Sequence, residues 1–193
     1  MNKAISNNYP LISNDKLTIQ LRQESIDTWY KLMDYVQNLP YGRNVNRNDL
    51  SLVWQEKKGT CSSKHAFLKK IADINQLPNI DLIIGVYKMN GENTAGVAKI
   101  LERYELDYIP EAHCYLNIDG KRVDLTHQSA DFGQIKDDIL VEQSIRPKQV
   151  AAYKVQYHQS FLRQWLTENA IAFDFKKLWK IREECIDALS QFS

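Results

Sequence analysis

The sequence predicts an α+β protein, and three features carry that prediction. Residues Ile80–Met89 form a run rich in β-forming side chains, which is typical of a well-buried strand. Asp119-Gly120 is a strong two-residue hairpin signal between two further strand-like segments. Apolar side chains recur at helical spacing near both ends of the chain. We therefore expect a sheet built from the middle of the chain, with helices on either side of it.

The N-terminal part of the chain is expected to hold one strand and two helices. Residues 16–21 alternate polar and apolar side chains, which predicts a short edge strand. Ser25 is the expected N-cap of an amphipathic helix over residues 26–38. A second helix is expected to begin at Cys61, because Phe67 and Ile71 follow it at helical spacing.

The rest of the chain continues the α+β pattern. A short helix is expected over residues 93–104, and another strand over Ile139–Ile145. Two amphipathic helices are expected near the C-terminus, over residues 157–169 and 174–191.

Composition bounds the class of protein and its surroundings. Lys and Arg number 25 against 24 Asp and Glu, so the formal net charge is +1, and no basic run stands out. This balance argues against nucleic acid or an anionic membrane surface as the partner. No apolar stretch suits a signal peptide or a membrane span. The three cysteines have no framework spacing, so we expect reduced thiols and a cytoplasmic protein.

The run Gly59-Thr60-Cys61 indicates a turn that leads into a helix, with a thiol at the helix start. Glycine permits a backbone turn that other residues resist. Thr60 is a good N-cap, and Ser63 can complete a weak capping box. Cys61 would then be the first helical residue, where free N–H groups and the helix dipole stabilise an anion. The pattern therefore favours a thiolate nucleophile, and the alternative is a small buried apolar residue.

The two arms of the hairpin carry a histidine and an aspartate that could serve this thiol. If Asp119-Gly120 is the loop, Asp124 is the diagonal neighbour of His113 on the same face. A carboxylate there can accept a hydrogen bond from one ring nitrogen and leave the other for the thiol. This is the nucleophile–base–orienter arrangement of covalent catalysis.

These motifs resemble the transglutaminase-like superfamily. The resemblance rests on Gly59-Thr60-Cys61, on His113 with Tyr115 two residues later, and on the D-x-T pattern Asp124-Leu125-Thr126. It covers residues 54–126. It implies a small, bacterial-type member with a cysteine-protease-like (papain-like) core, in which the Cys helix packs on an antiparallel sheet and further helices flank both ends. It also implies a triad of Cys61 as nucleophile, His113 as base and Asp124 as orienter.

An acyl-transfer site also needs donors for the oxyanion. The backbone N–H of Cys61, free at the helix start, is one candidate. Gln55 resembles the oxyanion glutamine of papain-like enzymes in its position six residues upstream, and Trp54 resembles the indole donor of true transglutaminases. The alternative for both side chains is plain packing. Ser62 departs from the superfamily, since many members carry a bulky residue directly after the cysteine.

Other uses of the histidines and cysteines stay open. His65 lies four residues after Cys61 on the same helix face, and is a secondary candidate for the base. A zinc site drawn from Cys61, His65, His113 and Cys114 is disfavoured, because adjacent strand residues point to opposite faces. We therefore expect no metal and no organic cofactor. The remaining residues of interest are expected to be structural or exposed: Cys114, Cys185, His127, His158, Tyr157, Trp165 and Trp179.

We expect one transglutaminase-like domain over residues 1–193, with a core over about 50–146 and a helical C-terminal extension over about 147–193. The resemblance implies a cysteine-dependent hydrolase or acyltransferase. Its substrate would be a peptide, a protein or a small amide or ester, attacked to give a Cys61 thioacyl intermediate. The alternative is a non-catalytic binding module that uses the same cleft for a peptide or protein partner.

Overall fold

A computed structural model describes residues 7–189, and these form an antiparallel sheet of four strands with seven α-helices. This confirms the predicted α+β class. The helices are α1 Lys16–Gln23, α2 Trp29–Asn38, α3 Leu52–Gln55, α4 Cys61–Ile74, α5 Ala98–Arg103, α6 Ala152–Glu168 and α7 Phe175–Leu189. The strands are β1 Ile80–Met89, β2 Ile109–Ile118, β3 Lys121–Val123 and β4 Ile139–Ile145. Within residues 7–189, no helix is both long and apolar enough to cross a membrane.

The sheet has the order β3-β2-β1-β4. Strand β1 is buried along almost its whole length, as the sequence predicts, and pairs with β2 throughout. The predicted hairpin is confirmed: Ile118 pairs with Lys121, and Asp119 and Gly120 between them have positive φ angles of 50° and 81°. The β2–β3 ladder ends at the pair of Leu116 and Val123. Asp124 therefore lies just beyond the paired part of the hairpin.

Two apolar clusters hold the helices against the sheet. In the first, α4 packs on β1 and β2, and fully buried side chains such as Phe67 and Ile71 form its inner face. Helix α2 covers α4 with Trp29 and Val36. The second cluster joins the far ends of β1 and β2 to α5, α6 and α7, with Trp165 among its members. Helix α4 thus lies on the sheet with its first residue close to β2.

The prediction of a strand over residues 16–21 is wrong, because this segment belongs to α1. Asp15 caps the helix by accepting a hydrogen bond from the Leu17 N–H at 2.9 Å. Thr18 and Leu21 are buried on one face, three residues apart. An alternating pattern of six residues fits that helical face as well as a strand, and the packing of Thr18 and Leu21 favours the helix that Asp15 caps.

Four helices begin at other residues than predicted. Thr28 caps α2, whereas Ser25 has a positive φ of 63° and lies in the turn before it. Helix α5 begins later than predicted, at Ala98, and α6 begins more than a turn earlier, at Ala152. Helix α7 begins at Phe175, and its predicted end at residue 191 lies outside the described residues.

Candidate active site

Cys61 is the first residue of α4, as the sequence predicts. The predicted capping box is also present: the Thr60 side chain accepts from the Ser63 N–H, and the Ser63 hydroxyl accepts from the Thr60 N–H at 2.9 Å. The first N–H groups of a helix have no partner within the helix, so the thiol sits at the positive end of the helix dipole.

Gly59 is needed for a reason that differs from the predicted one. Its φ lies outside the positive range, so no unusual turn requires a glycine here. A Cβ at this position would instead lie 2.8 Å from Lys64 Cγ and 2.9 Å from Ser63 Oγ. The close approach of the loop to the first turn of α4 is what excludes a side chain.

His113 and Asp124 are hydrogen-bonded to each other. Nε2 of His113 lies 2.7 Å from Oδ2 of Asp124. The other carboxylate oxygen accepts from the Thr126 N–H at 2.9 Å and from the Thr126 hydroxyl at 2.5 Å, so the D-x-T pattern fixes the carboxylate. Burial alone would raise the pKa of Asp124, but the positive charge of His113 outweighs it and holds that pKa well below its ordinary value.

The Cys61 thiol and the His113 ring lie close enough for each to shift the pKa of the other. Because Nε2 of that ring is engaged by Asp124, Nδ1 is the nitrogen left for the sulfur. Burial raises the pKa of Cys61, but the charges of Lys154 and His113 outweigh burial and lower it to about 5. Burial lowers the pKa of His113, but the negative charges of Asp124 and Cys61 raise it well above its ordinary value. These surroundings favour a thiolate–imidazolium pair at neutral pH.

Lys154 is a site residue that the sequence does not point to. It lies in the first turn of α6, and its Nζ is 3.8 Å from Cys61 Sγ and 2.6 Å from Ser62 Oγ. Burial lowers the pKa of Lys154, and the thiols of Cys114 and Cys61 outweigh that and raise it. Lys154 is 93 residues from Cys61, and the predicted helix began after it, so no local pattern could have found it.

His65 makes both of its hydrogen bonds to the backbone. Its Nε2 accepts from the Leu125 N–H at 2.8 Å, so its Nδ1 carries the proton and donates to the Cys61 carbonyl at 2.7 Å. Burial lowers the pKa of His65 to about 4. A neutral ring with both nitrogens engaged has no lone pair to offer the thiol. The geometry therefore supports a structural role for His65 and not its use as the base.

His65 thus connects α4 to the segment that carries Asp124, and Lys64 adds a second connection between them. Its side chain is fully buried, and Nζ donates to the carbonyls of Leu39 and Thr126 at 2.5 and 2.6 Å. Burial lowers the pKa of Lys64 to about 8, although the negative charge of Asp124 acts in the opposite direction. Lys64 and His65 together hold the start of α4 against the end of the hairpin.

The zinc alternative finds no support in the described residues, since no group of three or more His, Cys, Asp or Glu side chains in 7–189 could hold a metal ion. Cys114 and Cys185 are buried in the core. His158 is buried and hydrogen-bonded to the Pro110 carbonyl at 2.8 Å, and His127 contacts Ser129 at 3.0 Å. Trp165 belongs to the second apolar cluster, Tyr157 and Trp179 are partly buried, and Trp179 also lines a cavity at the site.

The two oxyanion candidates lie away from that cavity. Gln55 is exposed, and its amide donates to the Ser51 hydroxyl at 2.8 Å. Trp54 is buried against Tyr35, and Lys57 Nζ lies 3.3 Å from the centroid of its ring. Neither residue lines the cavity in front of Cys61. The backbone N–H of Cys61 is the predicted donor that the structure places at the thiol.

The cavity has a volume of about 190 Å³ and opens on Cys61 and Ser62. Its walls come from the loop before α4 and from α6 and α7. Basic side chains are prominent in its lining: Arg43, Arg47, Lys154 and Arg182. His113 is not part of this lining, and 16% of its side chain is exposed.

Comparisons of this chain with protein-family models, with curated proteins and with solved structures give no match.

Proposed function

We propose that this protein is a thiol enzyme of the transglutaminase-like type, which transfers or hydrolyses an acyl group through a covalent Cys61 intermediate. Cys61 is the nucleophile, His113 the general acid and base, and Asp124 the residue that orients His113. The observation that carries the proposal is the arrangement around the His113 ring, which has Asp124 2.7 Å from Nε2 and the Cys61 thiol close enough to raise the pKa of the ring.

In the proposed reaction the Cys61 thiolate attacks the carbonyl carbon of an amide or ester, and a C–S bond forms. In this proposal the backbone N–H of Cys61 stabilises the negative oxygen. The C–N or C–O bond then breaks, and the leaving amine or alcohol takes the proton of the His113 imidazolium. Water or an amine next attacks the thioester and gives a proton to His113. The C–S bond breaks, and the acid or the new amide leaves with the thiolate restored.

Electrostatics supports this assignment of roles. A thiol with a pKa of about 5 is almost fully ionised at neutral pH, whereas an ordinary cysteine is mostly protonated. The thiolate is the nucleophilic form of cysteine. The raised pKa of His113 keeps a proton available for the leaving group. Both groups are therefore in the protonation states that the first step requires.

The alternative is a binding module that keeps this arrangement and holds a peptide or protein partner in the cavity without reaction. The two proposals differ in one property of the free protein, which is the reactivity of the Cys61 thiol. An enzyme of this type requires a strongly ionised cysteine, whereas a binding module does not.

The pH dependence of alkylation tests the proposal. We expect iodoacetamide to modify Cys61 in the folded protein with a midpoint at about pH 5, located by peptide mass spectrometry. In His113→Ala the midpoint should move several units towards that of an ordinary thiol, at about pH 8.5. His127→Ala is the matched control, because His127 contacts Ser129 instead of the thiol.

A wild-type midpoint near that of an ordinary thiol would refute the enzyme. Equal, small effects of the two histidine substitutions would favour the binding module. Modification of Cys61 can be distinguished from modification of Cys114 or Cys185, because those two cysteines are fully buried and lie in different peptides.

A further inference from the structure

The charges in the cavity fall into a paired set and an unpaired set. Arg182 forms ion pairs with Glu111 and Glu183, and Nε of Arg182 lies 2.7 Å from Glu111. Arg43 also pairs with Glu183, at 3.1 Å. These two arginines and two glutamates neutralise one another.

Lys154 and Arg47 remain outside that set. Within residues 7–189, Arg47 forms no ion pair, and it lies on an exposed part of the cavity wall. Lys154 has the Ser62 hydroxyl and the Cys61 sulfur as its polar contacts. Among the described residues, the thiolate is therefore the negative group in contact with Lys154. Glu111 also acts on Lys154, but it is already paired with Arg182.

Formation of the thioester removes this negative charge, because the sulfur becomes neutral when the C–S bond forms. Lys154 then keeps the Ser62 hydroxyl as a contact, and the remaining negative group that acts on it, Glu111, is shared with Arg182. A charge that is only partly compensated is costly inside a partly buried cavity. A carboxylate on the acyl group would replace the lost charge. Arg47, further out on the wall, would attract the same group as it enters.

We infer that the substrate of this site carries a negative charge on its acyl portion, of the kind found in an acidic amino-acid or dicarboxylic acyl group. Lys154 binds the carboxylate inside the cavity, and Arg47 attracts it at the entrance. The inference rests on the proposed function, since it concerns the acyl group that Cys61 receives.

Two alkylating reagents that differ in charge provide the test. Iodoacetate and iodoacetamide both form a C–S bond with the Cys61 thiolate and release iodide, but only iodoacetate carries a carboxylate. The ratio of their rate constants cancels the fraction of thiolate, because both reagents attack the same ion. The reference is the same ratio for the chain unfolded in urea, where the cavity is absent.

We expect folding to raise the iodoacetate-to-iodoacetamide ratio by about tenfold or more. Arg47→Gln should lower the ratio several-fold and leave the iodoacetamide rate unchanged. Lys154→Met should lower the ratio further, and it should also slow iodoacetamide because the thiol pKa rises. Arg103→Gln is the control, because Arg103 is also exposed, pairs with Glu184 and lies in α5, away from the cavity lining.

A ratio that folding does not raise, or that Arg47→Gln and Lys154→Met leave unchanged, would overturn the inference. In that case fast modification by iodoacetamide at about pH 6 would leave the proposed function standing. Slow modification of Cys61 by both reagents would instead overturn the proposed function and, with it, the inference.

Discussion

The buried thiol of Cys61 would stay protonated at neutral pH if burial acted alone. Two unit charges about 4 Å apart attract each other by about 4 kcal/mol at an effective dielectric constant of about 20, which corresponds to about three pKa units. Lys154 lies 3.8 Å from the sulfur, and the charge of His113 acts on it as well. Two such partners outweigh burial, and they explain why the pKa of Cys61 falls to about 5.

Asp124 acts on the thiol through His113. Its carboxylate stabilises the imidazolium, and the imidazolium stabilises the thiolate. Asp124→Asn keeps the shape of the side chain but removes its charge. We expect the pKa of Cys61 to rise by one to several units, roughly towards the ordinary value of about 8.5. The midpoint of alkylation against pH measures this shift.

Asp131→Asn is the control for that substitution, because Asp131 is an exposed capping residue of the following 3₁₀ turn. If Asp124 only ties down the end of the hairpin, Asp124→Asn would lower the melting temperature and leave the alkylation midpoint in place. That result would remove the orienting role.

Elements with a strong local signal could be predicted from the sequence, and those decided by distant contacts could not. Strand β1 and the hairpin are specified by their own side chains and by Asp119-Gly120, and the start of α4 by the capping box around Cys61. Residues 16–21 carry a pattern that a helix and a strand share, and tertiary packing of Thr18 and Leu21 decides between them.

The same distinction applies to the site. Cys61, His113 and Asp124 could be proposed together because each lies at a recognisable local feature, and the hairpin brings the last two near each other although the ladder itself ends at Leu116 and Val123. Lys154 could not, because its position at the sulfur depends on how α6 packs across β2. Gln55 has the spacing of an oxyanion glutamine, six residues before Cys61, but its side chain is hydrogen-bonded to Ser51 on the surface of α3.

Among the strands, Gly85 of β1 leaves room for the Tyr115 ring beside the histidine. It faces His113 across the β1–β2 ladder, and a Cβ there would collide with the Tyr115 hydroxyl and lie 3.0 Å from Tyr115 Cε1. The Tyr115 ring in turn lies 5.9 Å from the His113 ring, between centroids. We expect Gly85→Ala to reduce the free energy of unfolding by about 1–3 kcal/mol, measured by urea denaturation.

A double-mutant cycle identifies the cause. Tyr115→Phe removes the hydroxyl that the new methyl group would strike first. Gly85→Ala should therefore cost less in the Tyr115→Phe background than in the wild type. Equal costs in both backgrounds would show that crowding against Tyr115 is not the reason for the glycine.

At the scale of the whole molecule, the C-terminal helices are part of the candidate site. The sequence assigns residues from about 147 onward to an extension of the core. In the structure α6 supplies Lys154 to the sulfur, and α7 supplies Arg182 to Glu111 of β2, two residues before His113. These helices close one side of the cavity, so the site needs α6 and α7 as well as the start of α4 and strand β2.

The ion pair between Glu111 and Arg182 is the main polar connection between α7 and the sheet, and it makes stability depend on pH. Burial would raise the pKa of Glu111, but Arg182 outweighs it and lowers that pKa from 4.5 to about 2, equivalent to about 3 kcal/mol. This contribution is complete above pH 4.5 and is lost as the pH falls towards about 2, because the unfolded chain binds the proton first.

We therefore expect Glu111→Gln to lower the free energy of unfolding by about 3 kcal/mol at neutral pH, and the difference from wild type to shrink between about pH 4.5 and pH 2. Urea denaturation over this range measures both effects, with the exposed Glu102→Gln as the control. A difference that stays constant down to about pH 3 would mean that packing of the side chain, and not its charge, holds α7 in place.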